Sequence, residues 1–211
     1  DLSAALQLEA RLANDANCFA LAEATLGAAK GRRVVMGLIL GTGVGGGIVV
    51  DRKVLNGCHG IAGEWGHNPL PWPRDDERPG PACSCGRAGC IEAFLSGPGF
   101  TKNHERRTGE RAKAVEIAAS AASGNSAAMA SVEIYVERLA RALATVINIF
   151  DPEVVVLGGG MSNLSAIYER VPILWKDRVF SDQVDTRLSR PVHGDSSGVR
   201  GAAWLWPPPT A

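Results

Sequence analysis

One histidine and three cysteines lie close together in a glycine- and proline-rich stretch of the chain. It runs Gly63-Glu64-Trp65-Gly66-His67, then Cys83-Ser84-Cys85-Gly86-Arg87-Ala88-Gly89-Cys90-Ile91-Glu92. His67, Cys83, Cys85 and Cys90 offer one imidazole and three thiolates, a closed tetrahedral set of the kind zinc takes in structural sites. That shell is full, so Glu64 and Glu92, one at each end, are left free for another partner. A Cys-x-Cys pair is tighter than the spacing of common zinc fingers. Gly86 and Gly89 supply the backbone freedom that so tight a knuckle needs. The chain has five cysteines, and a single residue separates Cys83 from Cys85, a poor arrangement for bridging to each other. Thiolates on a metal in a reducing compartment fit better than a disulfide framework. Cys18 and Cys58 stand apart and read as small, buried or half-buried side chains.

A second constellation is Asn14-Asp15-Ala16-Asn17. Asn and Asp are strong helix caps, which is the plain reading. The other reading makes Asp15 a catalytic base, since a helix N-terminus keeps a carboxylate ionised and ready to accept a proton. The two are compatible. A third is Gly41-Thr42-Gly43-Val44-Gly45-Gly46-Gly47, which contains Gly-x-Gly-x-x-Gly. A dinucleotide fingerprint opens a helix after a strand, and here a strand follows, so that fold is not expected. No Walker A sequence occurs. What remains is an ordinary tight hairpin, or a hairpin whose bare backbone N–H groups and Thr42 hydroxyl cradle a phosphate. His59, His104 and His193 have no such company and read as surface or loop residues. Glu23 reads as a solvated helix residue.

The elements that must position these groups follow a mixed α/β pattern. Asp15–Ala29 is a helix closed by Lys30-Gly31. Val34–Leu40 is a buried strand, Ile48–Val50 a second strand across the glycine turn, and Val54-Leu55 a short third. Residues 68 to 82 hold five of the twelve prolines and read as loop. Lys113–Ala122 and Val132–Phe150 are helices, the second with one long apolar face from Val132 to Phe150. Asp151-Pro152 stops it. Val154–Leu157 is another buried strand, and Gly158-Gly159-Gly160 follows before a further helix. The Pro207-Pro208-Pro209 tail is expected to fray.

The chain has 211 residues, enough for one large domain or two small ones. Lys+Arg 22 balances Asp+Glu 22. Zero net charge leaves no basic field for nucleic acid or an acidic membrane. No signal peptide opens the chain and no apolar run nears the ~18 residues of a membrane span. A cytoplasmic protein is expected.

Together these motifs resemble the ROK family (repressor, open reading frame, kinase) of sugar kinases. The resemblance rests on Asn14 to Asn17, Leu40 to Gly47, Gly63 to His67, Cys83 to Glu92, and Val156-Leu157-Gly158-Gly159-Gly160-Met161-Ser162, and it spans essentially the whole chain. Residues 63–72 and 193–206 resemble bacterial fructokinases more closely. The resemblance implies an actin-like, ribonuclease-H-like α/β fold of two lobes. It implies phosphoryl transfer from MgATP to the 6-hydroxyl of a hexose, with fructose preferred. By position, Asp15 is the base. Asn14, Asp15, Glu64, His67 and Glu92 bind sugar. Gly41, Thr42 and Gly43 lie against the phosphates, and Gly158, Gly159 and Gly160 against the adenosine. A structural Zn²⁺ sits on His67, Cys83, Cys85 and Cys90, and a homodimer is expected.

Family members open with a strand and an Asp-x-Gly-Gly-Thr-type turn, and no such turn precedes Asp15. The expectation is therefore that residues 1–211 form the large C-terminal lobe, with a zinc-binding insertion at about 57–96 and the small N-terminal lobe largely missing. Weak or no turnover by this chain alone follows. The alternatives are a ROK sugar-sensing transcriptional regulator, a kinase specific for N-acetylglucosamine or glucose, and a non-catalytic zinc module. No helix-turn-helix is visible, which weighs against the regulator.

Overall fold

The computed structural model describes residues 2–194 and 197–206. The expected strand Val34–Leu40 (β1) forms at those bounds. Val44–Val50 (β2) returns antiparallel to it, with Val34 opposite Val50 and Leu40 opposite Val44. The glycines at 45 to 47 are thus inside the second strand rather than in the turn, which moves its start back from Ile48. Lys53–Val54 (β3) pairs with β2. Val154–Gly158 (β4) runs parallel to β1, and Arg187–Ser189 (β5) parallel to β4. The sheet order is β3-β2-β1-β4-β5.

Alternation along the strands sends side chains to two helical layers. Val35, Val49, Val154 and Val156 pack with Phe19, Ala20 and Leu21. These belong to Asp15–Thr25 (α2), which follows the short N-terminal helix Leu2–Leu6 (α1). Met36, Leu38, Leu40, Val155 and Leu157 face the other way, onto Leu139, Leu143 and Val146. Those three lie on Ser126–Phe150 (α6). Around it pack Ile91–Leu95 (α3), Gly97–Thr108 (α4), Ala114–Ala122 (α5) and Ser165–Leu174 (α7). Ser197–Ala203 (α8) lies against α2.

Several bounds differ from expectation for local reasons. α2 stops at Thr25 because the chain turns around the Glu23 side chain. The Ala28 N–H donates to Glu23 Oε2 at 2.8 Å, and Gly27 leaves room for that carboxylate. Glu23 is therefore fully buried, not solvated. α6 starts at Ser126 because Asn125 caps it, accepting from the Ala128 N–H at 2.9 Å. Its small first-turn residues carry no apolar stripe. Its far end is less buried than the stripe implies, with Phe150 exposed. Helices α3, α4 and α8 and strand β5 were not assigned from patterning. His104 is buried, with Nδ1 2.9 Å from Ser131 Oγ, and Cys58 is exposed. Both differ from expectation. Among the described residues no helix is long and apolar enough to cross a membrane. The Pro207–Pro209 tail, and Asp195-Ser196 within the 193–206 motif, lie outside the described residues.

Candidate active site and metal knuckle

Asn14, not Asp15, caps α2. Its side chain accepts from the Ala16 N–H at 2.8 Å and the Asn17 N–H at 3.4 Å. Asp15 is the first helical residue and exposed, with Oδ1 2.8 Å from the Ala16 N–H. The cap and base readings thus separate onto neighbouring residues. The helix N-terminus favours negative charge where Asp15 stands.

The glycines of β2 explain how this helix end meets the loop that carries Glu64 and His67. A Cβ on Gly47 would stand 2.5 Å from the Ala16 carbonyl oxygen and 2.8 Å from Asn17 Cα. On the opposite face, a Cβ on Gly46 would stand 2.5 Å from the Gly63 carbonyl oxygen. Gly66 presses closer still on the Val44 carbonyl oxygen. One strand therefore carries the start of α2 on one face and Gly63-Glu64-Trp65-Gly66-His67 on the other. Neither close approach leaves room for a side chain. Gly46 and Gly47 thus act as spacers, which leaves only the turn before the strand as a candidate phosphate cradle.

His67, Cys83, Cys85 and Cys90 converge, with one ligand atom from each within 4.8 Å of the others. Cys83 Sγ is 3.6 Å from His67 Nδ1, and Cys85 Sγ is 3.7 Å from Cys90 Sγ. A tetrahedral zinc with bonds of ~2.3 Å to sulfur and ~2.0–2.1 Å to nitrogen requires S···N edges of about 3.6 Å and S···S edges of about 3.8 Å. The two measured edges match. Burial, then the neighbouring Cys85 and Cys83, push the Cys90 thiol up to about 12, whereas the Arg87 N–H pulls Cys85 down. A divalent ion would favour the thiolate in all three. Nδ1 faces the cluster, which leaves Nε2 of His67 for another partner.

Two bridges close the knuckle: Pro69 pairs with Cys90 and Ala82 with Ala88. Glu92, in the first turn of α3, is not free as its type and position implied. Oε2 accepts from the Val44 N–H at 3.0 Å, and Oε1 accepts from the Ser84 hydroxyl at 3.0 Å. It ties the hairpin to the knuckle. Glu64 is exposed.

Of the residues assigned to the nucleotide, Gly41, Thr42 and Gly160 line one cleft of about 720 Å³, walled by Gly97, Pro98 and the Ala114–Ala119 face of α5. Gly43 instead faces Glu92, Gly158 packs on the Phe19 ring, and Gly159 backs onto Leu40. These three are close-packing positions. Glu64 and His67 line a separate groove of about 700 Å³, and Asp15 a third of about 480 Å³ beside α8. Asp15, and Glu64 with His67, therefore line separate grooves about β2, not one enclosed pocket. Sequence reasoning missed Glu77, Arg138 and Arg141, which form a buried ion cluster beneath the loop that leads to Cys83. An arginine on the apolar stripe of α6 was the available signal.

The sequence profile of the ROK family matches residues 1–208. The N-acetyl-D-glucosamine kinase of Pectobacterium atrosepticum is 42% identical over 209 residues, covering 97% of this chain and 69% of its own length. The ROK hexokinase of Thermus thermophilus superposes with a TM-score of 0.86 at 34% identity, over 96% of this chain and 66% of that one. A ROK transcriptional regulator homologous to the MLC protein of E. coli superposes at 0.82 with 28% identity, over 97% of this chain and 53% of that one. The mixed sheet with helices on both faces is the actin-like fold of these proteins. This chain belongs to the ROK family, with the fold and the relatives of its ATP-dependent sugar kinases.

Proposed function

We propose that the chain is the large lobe of a kinase that moves the γ-phosphoryl group of MgATP to a hydroxyl of N-acetylglucosamine. The observation that carries the phosphotransferase reading is the β2 packing. It sets Asp15, at a helix start, against the strand that also seats Glu64 and His67. The sequence reading preferred fructose. Relatives at 41–44% identity that are N-acetyl-D-glucosamine kinases move the preference to the alternative.

In this reading Asp15 takes the proton of the attacking hydroxyl, a contribution of about 10²–10⁴-fold. Asn14, Glu64, Nε2 of His67 and Glu92 hold sugar hydroxyls and so choose which one reacts, since phosphoryl transfer depends chiefly on positioning and charge stabilisation. Glu92 would do so through the acceptor capacity left beside its present partners, the Val44 N–H, the Ser84 hydroxyl and the Cys83 thiol. Gly41 and Thr42 face the phosphates, and Gly160 with the alanine face of α5 receives the nucleoside. His67, Cys83, Cys85 and Cys90 would hold a structural zinc, which fixes the loop and takes no part in the transfer. A homodimer in the cytoplasm is part of the same proposal.

The test is ADP release with N-acetylglucosamine, glucose, mannose and fructose, on this chain and on the full-length gene product. N-acetylglucosamine is expected to give the highest kcat/KM. A fructose preference would return the reading to fructokinase. Asp15→Ala is expected to abolish turnover while the melting temperature holds, and near-normal kcat in that folded variant would reject Asp15 as the base. A regulator is the weaker reading, and specific DNA binding by the gene product without ADP release would favour it.

A further inference from the structure

Fifteen residues separate His67 from Cys83. Their regular structure is limited to one short 3-10 turn, Asp75–Glu77, and the single bridges at Pro69 and Ala82. Something must hold this loop still if four ligands on its two sides are to converge.

The holding contacts come from α6. Arg141, 1% exposed, donates through Nη1 to the carbonyls of Pro71 at 3.1 Å and Trp72 at 2.6 Å. Through Nη2 it grips both oxygens of Glu77, at 2.8 and 2.9 Å. Arg138, one turn earlier and 3% exposed, donates to Glu77 Oε1 at 2.7 Å. Glu77 itself is 4% exposed, and its Oε2 also accepts from the Arg74 N–H at 2.9 Å. Three points of the loop are thus bound to two adjacent turns of one rigid helix.

The hold passes on to the knuckle by backbone contact. A Cβ on Gly80 would stand 2.5 Å from Gly89 Cα. The Gly89 N–H donates to Pro81 at 2.9 Å, and its carbonyl accepts from the Leu70 N–H at 2.9 Å. Gly89 adjoins Cys90. In parallel, the Arg138 guanidinium lies 4.8 Å over the Phe94 ring, on the same short helix as Glu92. A well-packed apolar plug often matches a buried ion cluster in stability. It cannot, however, fix two carbonyls and a carboxylate in register.

We propose that Glu77, Arg138 and Arg141 form an anchor that sets the position of the metal knuckle, and through it of His67 and Glu92, so that all three are positioning residues for the sugar site. The metal half stands on the geometry alone, and the sugar half rests on the function proposed above.

Glu77→Gln removes the charge and keeps the shape. The expected result, in zinc-loaded full-length protein at 25 °C, is at least tenfold faster zinc release to a chromogenic chelator. The Co²⁺-substituted protein is expected to show a shifted d–d band. KM for the sugar is expected to rise about tenfold with KM for ATP unchanged, and Glu77→Asp to restore part of each. Arg138→Gln serves if Glu77→Gln fails to fold. The control is Val171→Ala, a core change on α7 that lowers stability without touching the loop. Release and spectrum no different from that control would overturn the anchor, as would a wild type that binds no zinc. Faster release with an unmoved sugar KM would overturn the sugar half and leave the metal half standing. Faster release in a protein whose wild type phosphorylates no sugar supports the anchor and overturns the sugar reading instead.

Discussion

Gly47→Ala is a one-methyl change whose effect is predictable in kind and size. The added Cβ would lie 2.5 Å from the Ala16 carbonyl oxygen, 2.8 Å from Asn17 Cα and 2.9 Å from Ala16 C. All three are backbone atoms at the start of α2, so no side chain can swing aside. An ordinary carbon–oxygen contact is about 3.4 Å, so the first turn of α2 must retreat by about 0.9 Å. Asp15 moves with it. A misplacement of about 1 Å can cost on the order of 10²-fold in rate. Overpacking of this kind also costs ~1–3 kcal/mol, which for a protein of this size is about 2–12 °C in Tm.

Neighbouring glycines supply the controls. Gly45→Ala meets only the Ala16 side chain, at 3.2 Å, and a shift of a few tenths of an ångström relieves it. Gly46→Ala pushes on the Gly63 carbonyl instead, on the Glu64 side. Coupled ADP-release kinetics at saturating ATP should therefore give kcat about 10²-fold down for Gly47→Ala. They should give a raised sugar KM for Gly46→Ala, and values near wild type for Gly45→Ala. A folded Gly47→Ala protein with kcat within twofold of wild type would refute the role given to this strand.

Metal analysis is expected to give one zinc per chain, and its removal by chelation to lower Tm and raise the sugar KM; an apo protein with unchanged Tm would remove the structural role. Burial pushes the Glu77 carboxyl up, but Arg141, Arg138 and the Arg74 N–H outweigh that and hold it at about 2. Because this lies below its unfolded value, its stabilisation is complete above about pH 5 and is lost as pH falls through 4.5 toward 2, on the order of 3 kcal/mol. Urea midpoints across that range should fall less for Glu77→Gln than for wild type, and parallel curves would count against it. Glu23→Ala strips acceptors from the Ser197 hydroxyl at 2.8 Å, the Val192 N–H at 3.2 Å and the Ala28 N–H at 2.8 Å, at about 2–4 kcal/mol in all. Trypsin should then cleave faster at Arg190, and an unchanged digestion pattern would show that Glu23 is not the latch of α8.

The parts legible from sequence were those whose signal is local. β1 is a continuous apolar run and appears at its expected bounds. The convergence of His67, Cys83, Cys85 and Cys90 was legible because the three cysteines lie within eight residues and thiols are scarce here. Contacts at long range left no periodic trace. Glu77 meets partners 61 and 64 residues away, so nothing beside it in the chain marks it as buried. Glu23 is similar, since its acceptor atoms are used by Val192 and Ser197 at the far end of the chain. Glu92 read as free because a full metal shell excludes it, yet a carboxylate beside unsatisfied backbone donors finds them, here at Val44.

The glycine run was the most misleading segment, and energetics indicates why. Each glycine inside a strand costs roughly 0.5–1 kcal/mol relative to alanine. Three in succession at 45 to 47 therefore cost about 1.5–3 kcal/mol. A hairpin turn, or a phosphate nest, needs that freedom only where the backbone takes an unusual conformation. Residues 45 to 47 have ordinary strand geometry, with none among the positive-φ glycines. Their cost must be offset elsewhere, and the two faces of β2 are where it happens. The Ala16 backbone on one side and the Gly63 backbone on the other approach to distances that any Cβ would forbid. A strand pressed by backbone on both faces fixes what stands on each face relative to the other. For the kinase proposed above that need is specific: the proposed base and the proposed sugar-holding groups belong to segments some fifty residues apart, Asp15 and Glu64 to His67. A strand stretch bare of side chains, Gly45 to Gly47, is a short rigid connection between them.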